Sequence, residues 1–351
     1  MTLYESIVNE IAATPAAAEA DTSGFAAAAQ AAEITVSRNG GGEWLFRLRN
    51  SRLPYALKVS GDYRHMEKYL CGTPEEEAEN FRFLLRTAFE CRFCSMGIVS
   101  LHAACVSVDG FAVAFTGHSG MGKSTRAFAW ERALGAQIIS GDRPAVRLSP
   151  DGNMACGVPW DGKEQIFRDT EVPLRCILEV RRSPLNYIRR LTAEQARRLI
   201  SQQCFIPMWD TDAAVCSLAN VRRLVRTTPV YRVFCGPEED DARAIYDILA
   251  RNPGQIKEEQ KDMKIKPGFV LRNVVDEYMV MPTGDNIASF PGAMVLNETS
   301  AFIFKQLQNP TSQEDILSAI LNEFDVDAPT ASKDLENTLN KFRDLGILEE
   351  Q

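Results

Sequence analysis

The middle of the chain alternates between apolar runs and amphipathic stretches. Residues 111–116 form a continuous apolar run that predicts a buried strand, and residues 125–134 carry apolar side chains at helical spacing. A second apolar run at 136–140 predicts another strand, and a last strand and helix end near residue 250. Strands that alternate with helices indicate an α/β core. We assign this core to residues 99–251.

The residues before this core predict an accessory region at 1–98. An alanine-rich stretch at 12–32 suits either a helix or a loose segment, because a proline and a glycine interrupt it. Residues 33–59 alternate between apolar and polar side chains, which predicts small antiparallel strands. A helix is predicted at 75–94, and no pattern in this region indicates a chemical function.

A polar linker at 252–265 leads into a separate C-terminal module at 266–351. The first half of this module predicts short strands and the second half predicts helices. The predicted strands are 269–275, 277–281 and 287–290, and the predicted helices are 298–308, 312–324 and 330–345. The segment 311–314 is a capping-box pattern that marks a helix start. Strands followed by helices in so short a segment predict a small winged-helix-like α+β module.

Composition excludes several classes of protein. The 351 residues suffice for two or three domains, and hydrophobic and charged fractions of 45% and 25% are those of an ordinary globular protein. No apolar stretch approaches the roughly eighteen residues of a membrane span, and the first residues lack a signal segment. We therefore expect a cytoplasmic protein with no membrane partner. The nine cysteines are scattered through apolar segments, which indicates buried free thiols.

Charge is distributed unevenly along the chain, whose formal net charge is −8. From residue 263 to the end there are seven Lys and Arg residues against fourteen Asp and Glu residues, whereas residues 175–232 contain eleven arginines against four acidic residues. No aromatic platform or nucleic-acid motif accompanies the arginines, so we expect no nucleic-acid partner. The arginines suit a solvated face, or contacts with phosphate and peptide.

Residues 117–124 match the phosphate-loop pattern G-x-x-x-x-G-K-[ST] and lie between a predicted strand and a predicted helix. Glycines allow backbone N–H groups to face phosphate oxygens, and the helix N-terminus adds a partial positive charge. Lys123 is expected to reach the β- and γ-phosphates, and the Ser124 hydroxyl to bind Mg²⁺. The sequence therefore predicts ATP and Mg²⁺ as ligands. The predicted nucleotide-binding residues are Gly117, Ser119, Gly120, Met121, Gly122, Lys123, Ser124 and Thr125.

Charged side chains beyond the loop are the other candidates for the catalytic site. Asp142 follows the strand at 136–140, where a carboxylate can face Mg²⁺ or can simply form a turn before a proline. The Gly- and Pro-containing turn at 159–163 makes Asp161, Lys163 and Glu164 candidates to face the γ-phosphate or its metal, with plain turn chemistry as the alternative. Of these, Glu164 is the second candidate metal ligand. Arg143 is a candidate for stabilising charge on a transferred phosphoryl group, because a planar guanidinium suits phosphate oxygens. The alternatives to Arg143 are Arg189 and Arg190.

The spacing of these residues resembles that in the HPr serine kinases and their phosphoenolpyruvate carboxykinase-like relatives. His102 stands fifteen residues before Gly117, and Ser-Gly-Asp-Arg at 140–143 falls where the family has Asp-Asp-Arg. The resemblance implies a P-loop kinase core that transfers phosphoryl to a hydroxyl. It also implies that Asp142 is base, metal ligand or both, and that His102 orients Asp142 or contacts phosphate. The chain departs from the family at Gly141, which replaces the aspartate that resembles a general base.

The C-terminal module resembles the PqqD family, the leader-peptide recognition elements of ribosomally made peptide natural products. The resemblance rests on residues 295–307, 323–326, 334–335 and 342–348. It implies that the leader of a precursor peptide adds as a strand to the third strand and packs on the last helix. On this basis the predicted peptide-binding residues are Asn286, Ile287, Ala288, Ser289, Phe290, Lys333, Asn337 and Lys341.

Together the two resemblances imply a leader-guided kinase, which transfers the γ-phosphoryl group of ATP to a Ser or Thr hydroxyl of a precursor peptide. Two alternatives stay open: a kinase for a small molecule or a carboxylate, and a nucleotide-gated peptide-binding module without catalysis. The sequence also leaves open whether ATP or pyrophosphate is the donor, and it is compatible with a homo-oligomer.

Overall fold

The structure is a computed structural model that describes residues 16–17, 25–30, 34–48, 56–69, 74–160, 166–258, 262–274, 277–288, 290 and 292–350. The chain forms two compact units. The first unit comprises Met1–Val180, Leu191–Tyr231 and Glu238–Arg243, and the second comprises Arg181–Arg190, Arg232–Pro237 and Ala244–Gln351. The division differs from the predicted boundaries, because three stretches of the predicted α/β core, 181–190, 232–237 and 244–251, belong to the second unit.

The first unit begins with a six-stranded sheet in the order β1-β6-β5-β4-β3-β2. Its strands are β1 (Ala16–Ala17), β2 (Phe25–Gln30), β3 (Ile34–Asn39), β4 (Trp44–Leu48), β5 (Ala56–Val59) and β6 (Met66–Tyr69). Helix α1 (Pro74–Ser95) covers the sheet, and Leu84 and Ala88 of this helix share one buried core with Trp44, Phe46 and Leu57. The antiparallel strands and the helix predicted here are confirmed. Part of the alanine-rich stretch forms β2, which pairs with β3.

A larger mixed sheet carries the phosphate-loop sequence, in the order β10-β8-β9-β13-β12-β11-β7. Its strands are β7 (Ile98–Ser100), β8 (Ala103–Val108), β9 (Phe111–Thr116), β10 (Gln137–Ser140), β11 (Ala145–Arg147), β12 (Met154–Cys156) and β13 (Glu171–Arg182). Strand β9 lies between antiparallel β8 and parallel β13, and β15 (Val230–Cys235) pairs with β13. The predicted α/β character of this region is confirmed, and the predicted strand at 111–116 is β9.

Helices pack on this sheet and bury its apolar side chains. They are α2 (Lys123–Leu134), α3 (Ala193–Gln203) and α4 (Thr211–Thr227). Trp130 of α2 packs edge-on against Phe115 of β9 with 5.2 Å between ring centroids. Leu199 of α3 and Leu224 of α4 share a core with Ile177 of β13. The cysteines of the described residues are free thiols, and most are buried, as predicted.

The second unit contains the C-terminal module. The elements of this unit that were not given above are β14 (Tyr187–Arg190), α5 (Glu239–Ala250), β16 (Lys257–Glu258), β17 (Met263–Ile265), β18 (Phe269–Val274), β19 (Glu277–Pro282), β20 (Met294–Leu296), α6 (Glu298–Gln306), α7 (Gln313–Glu323), α8 (Ala328–Asp344) and β21 (Leu348–Glu350). The first residues of α5 belong to the first unit. Strands β18, β19 and β20 form one sheet in that order, and β17 pairs with β21. Phe304 of α6 and Phe342 of α8 meet edge-on with 5.9 Å between ring centroids, in the core of the module. The predicted α+β module is confirmed.

The third strand of this module differs from the prediction. The segment Gly284–Ala288 is a 3-10 helix, and the strand that pairs with β19 is β20. Asn286 donates its side-chain amide to the Pro267 carbonyl oxygen (3.0 Å), and the Phe290 ring packs edge-on against Phe269 at 5.2 Å. These contacts fold the segment against the start of β18, which a period-two pattern cannot reveal. The predicted strand is therefore wrong for Ile287 and Ala288, which lie in this 3-10 helix, while Ser289 lies outside the described residues.

Ion pairs hold helix α7 against strands from earlier in the chain, within the second unit. Arg189 Nε lies 3.0 Å from Glu314 Oε1, and Arg232 lies 3.1 Å from an oxygen of Asp315. The Glu314 and Arg232 side chains are largely buried. Arg189 and Arg232 therefore pair with carboxylates of this protein. Arg189 binds Glu314 rather than a phosphoryl group.

The Glu314→Gln variant is expected to lower the free energy of unfolding by about 1–3 kcal/mol, because it removes the charge that Arg189 binds in a largely buried setting. The control is Glu323→Gln at the exposed end of the same helix, with an expected change below about 0.5 kcal/mol. Urea unfolding monitored by circular dichroism measures both. Equal losses in the two variants would contradict a stabilising role for the Arg189–Glu314 pair.

Candidate functional site

The candidate site is built around the loop between β9 and α2. Three glycines of this loop have positive φ angles, namely Gly117 (138°), Gly120 (81°) and Gly122 (85°), a region that other residues rarely adopt. Gly122 is the N-cap of α2 and offers no side chain to the first N–H groups of the helix. The first turn of α2 also contains no acidic residue. This helix start therefore suits an anionic ligand, because its N–H groups and its dipole both favour negative charge.

Lys123 lies over the same loop. Its ammonium group donates to the carbonyl oxygens of Gly117 (3.1 Å) and His118 (3.4 Å). Burial lowers the pKa of Lys123, Asp142 opposes this effect, and the Arg143 charge adds to it. The Lys123 charge therefore interacts with Asp142 and Arg143, which lie just after β10.

Asp142 and His102 are brought together by the backbone. The Ala103 N–H donates to the Asp142 carbonyl oxygen (2.7 Å), which joins the end of β10 to the start of β8. His102 Nε2 then lies 3.4 Å from Asp142 Oδ1. The Thr116 hydroxyl donates to the His102 carbonyl oxygen (2.9 Å) and ties this pair to the end of β9. His102 is thus adjacent to Asp142, as the spacing had implied.

The His102 imidazole has a perturbed pKa. Burial lowers it most, the Lys123 charge lowers it further, Asp142 raises it, and Arg143 lowers it. The net effect is a pKa below the ordinary value, so the ring is neutral at neutral pH. A neutral imidazole can donate one hydrogen bond to Asp142 and accept another.

Arg143 is held by two carboxylates. Its Nε lies 3.9 Å from Asp142 Oδ2, and its terminal nitrogen lies 3.4 Å from Glu90 Oε1 on helix α1. Glu90 could not be predicted as a site residue from the sequence, because it lies in a region where no pattern indicates a chemical function. A lone carboxylate on an amphipathic helix has no local signature, so only the tertiary contact identifies it.

The candidate metal ligands are only partly described. Glu164 lies outside the described residues. The chain that follows it returns to β10, because the Gly141 N–H donates to the Ile166 carbonyl oxygen (3.0 Å). Among the described residues, no group of three or more His, Cys, Asp and Glu side chains could hold a metal ion. The donors near the loop, the Ser124 hydroxyl and the Asp142 carboxylate, are oxygen ligands that suit Mg²⁺ when phosphate oxygens complete its shell.

The second unit offers a separate candidate site at strand β20. This strand is at one end of its sheet, and Val295 is half exposed while Leu296 is buried. Ser300 at the start of α6 shares a hydrogen bond with Thr338 of α8 (3.1 Å), which brings the last helix beside the end of β20. A surface depression next to the strand is lined by Asn273, Glu277, Tyr278, Val295, Leu296, Asn297 and Glu298.

The predicted peptide-binding residues separate into two groups. Lys333, Asn337 and Lys341 are exposed on α8, the helix that Thr338 joins to the start of α6. Asn286, Ile287 and Ala288 lie in a 3-10 helix rather than at a strand edge, and the Asn286 amide donates to a backbone carbonyl oxygen. The strand that offers an edge is Met294–Leu296 instead.

Comparison with known proteins identifies the C-terminal part of the chain. Residues 277–348 match the family model of coenzyme PQQ synthesis protein D (PqqD), so the C-terminal module contains a PqqD domain. A solved structure described as TbiB1 in complex with the TbiA(beta) leader peptide is 26% identical, and the match covers 24% of this chain and 94% of that one. The TM-score of that match is 0.22. No curated protein matches the chain. Among the described residues, no helix combines the length and apolar character that a membrane crossing requires.

Two substitutions should move the His102 pKa in opposite directions. Lys123→Met removes a nearby positive charge and is expected to raise it, whereas Asp142→Asn removes a negative charge and is expected to lower it. Histidine ring signals followed by NMR across pH 4–8 measure the change, and a His102→Gln variant assigns the signal among the three histidines. Shifts of the same sign in both variants would contradict the arrangement of these charges.

Proposed function

We propose that this protein is a leader-guided peptide kinase, which transfers the γ-phosphoryl group of ATP to a Ser or Thr hydroxyl of a ribosomally made precursor peptide. The observation that carries the proposal is the gathering of Lys123, Asp142 and His102 around a glycine loop, on a chain that also contains a PqqD domain. A phosphate-binding loop alone suits many functions, and a peptide-binding module alone is no enzyme.

The loop geometry supports nucleotide binding. Positive φ angles at Gly117, Gly120 and Gly122 let backbone N–H groups face phosphate oxygens, and α2 adds its N-terminal dipole. Lys123 carries the positive charge that β- and γ-phosphates require, and its two carbonyl contacts hold the ammonium over the loop. Mg²⁺, held by Ser124 and Asp142, would supply charge neutralisation between the phosphates.

Asp142 is the proposed general base. In the reaction the substrate hydroxyl oxygen forms a bond to the γ-phosphorus, its proton passes to a carboxylate oxygen of Asp142, and the bond from phosphorus to the β,γ-bridging oxygen breaks. ADP leaves with the electron pair of that bond, close to the charge of Lys123. His102 is neutral and orients Asp142 from 3.4 Å, while Arg143 stabilises the charge on the transferred group.

The PqqD domain supports a peptide as the substrate. An end strand such as β20 presents main-chain N–H and C=O groups, to which an extended peptide can add as a further strand. Helix α8 provides the second wall, since Thr338 is bonded to the start of α6 directly after β20. We propose that the leader binds along Met294–Leu296 and contacts Asn337 and Lys341, while the core of the peptide supplies the hydroxyl.

The phosphate-loop assignment predicts that Lys123→Ala reduces phosphoryl transfer below about a tenth of the parent rate while the fold is kept. Asp142→Asn is expected to cost about two to three orders of magnitude in rate, because it removes both the base and a metal ligand. The measurement is mass spectrometry of a candidate precursor peptide after incubation with Mg-ATP. Full activity of Lys123→Ala would refute the kinase proposal. Intact ATP binding without any transfer would instead favour the nucleotide-gated binding module.

The leader-binding assignment predicts that Lys341→Glu weakens binding of the full-length precursor by about tenfold, or about 1.4 kcal/mol. Lys341 follows Thr338 by three residues and so lies on the side of α8 that faces the start of α6, whereas Glu336 lies on the other side. Glu336 is exposed on the same helix, so the Glu336→Lys variant is the control and should bind the precursor like the parent. Fluorescence anisotropy with labelled precursor measures binding.

A leaderless core peptide extends the same test. It should be phosphorylated equally poorly by the parent and by Lys341→Glu, because it has no leader for either protein to bind. If Lys341→Glu and Glu336→Lys bind the precursor equally well, the leader does not contact this face of α8.

A further inference from the structure

Glu90 is a buried carboxylate next to the candidate catalytic site, on a helix outside the predicted kinase core. Its side chain is 2% exposed. Oε1 accepts a hydrogen bond from the Ser100 hydroxyl (2.6 Å) and lies 3.4 Å from a terminal nitrogen of Arg143. Oε2 lies 4.0 Å from Nε of Arg86, one turn away on the same helix. Burying a carboxylate costs several kcal/mol unless charged partners offset it, so these partners account for its presence in the core.

Arg143 connects this carboxylate to the reaction centre. It directly follows Asp142 in the chain, and its Nε lies 3.9 Å from Asp142 Oδ2. The guanidinium is therefore shared between two carboxylates, and its side chain is 25% exposed. Among the described residues, Asp142 is the other carboxylate paired with this guanidinium, and without Glu90 the flexible arginine side chain could turn fully toward it. Such a pair would withdraw the arginine from phosphate and would occupy the carboxylate that must accept the proton.

We propose that Glu90 is a positioning residue, which holds the Arg143 guanidinium between helix α1 and Asp142 so that the arginine can face the transferred phosphoryl group. This inference rests on the proposed function. It gives the N-terminal region a role in catalysis, because α1 supplies the anion that fixes the arginine.

A second reading assigns Glu90 to structure alone. The Ser100 hydroxyl bond ties α1 to β7, and its loss would loosen the core whatever Arg143 does. The two readings differ in one respect. A positioning residue matters to the rate only while Arg143 is present, whereas a purely structural residue matters equally with and without it.

A double-mutant cycle in the full-length protein separates these readings. Glu90→Gln keeps the volume and removes the charge, and we expect kcat to fall about 10- to 100-fold with KM for ATP changed less than about threefold. Arg143→Met should lower kcat by a similar factor. The double variant should be no slower than Arg143→Met alone. Ser100→Ala is the control for the structural contact, and it should lower the unfolding temperature while kcat stays within about threefold of the parent.

Multiplicative losses in the double variant would overturn the positioning role, as would a Glu90→Gln enzyme with the parent kcat. Circular dichroism and thermal unfolding show whether Glu90→Gln is folded. If it is not, Glu90→Asp replaces it in the same cycle, because it keeps the charge but shortens the reach toward Arg143.

The outcome can be separated from a failure of the proposed function. If the parent transfers no phosphoryl group to the peptide, the peptide kinase proposal fails. The cycle is then read from the affinity of Mg-ADP with aluminium fluoride, which mimics a phosphoryl group in transfer. Glu90→Gln should weaken this affinity about tenfold or more only while Arg143 is present. An equal affinity for all four proteins would overturn the positioning role independently of the peptide.

Discussion

The candidate catalytic site depends on one backbone hydrogen bond, from the Ala103 N–H to the Asp142 carbonyl oxygen (2.7 Å). It joins the end of β10 to the start of β8, and so fixes Asp142 beside His102. Because β8 pairs along its length with β9, the same bond sets these side chains relative to the loop that carries Lys123. Main-chain hydrogen bonds among β10, β8 and β9 therefore position these side chains.

A partly buried network of charges extends from this point. Arg143 lies between Asp142 and Glu90, and Lys123 acts on His102 through its charge. The cationic groups favour a neutral imidazole and attract anions, whereas the two carboxylates keep the arginine in place. The chain lacks the first aspartate of the HPr kinase pattern, where Gly141 stands instead. In the proposed mechanism Asp142 therefore both accepts the proton and binds the metal. Its neighbouring charges then set its reactivity.

The second compact unit extends beyond residues 277–348, which match the PqqD family model. The second unit also includes Arg181–Arg190 and Arg232–Pro237, and ion pairs from these segments reach Glu314 and Asp315 at the start of α7. Cutting the chain at the linker would therefore separate buried charges from their partners, at a cost expected for a broken buried pair. For this reason point variants on α8 test leader binding more cleanly than a truncation.

Local features could be predicted from the sequence alone: the glycine loop, the strand before it, the helix after it, and the capped helices of the C-terminal module. These follow from short-range rules, since glycine φ angles, hydrophobic periods and caps involve only neighbouring residues. The resemblance to known families added the spacing that pairs His102 with Asp142. Tertiary packing determines which segment forms the third strand: Phe290 packs on Phe269, and Met294–Leu296 pairs with β19 instead. Likewise, Glu90 meets Arg143 across 53 residues and Glu314 meets Arg189 across 125, distances at which no local pattern reports a contact.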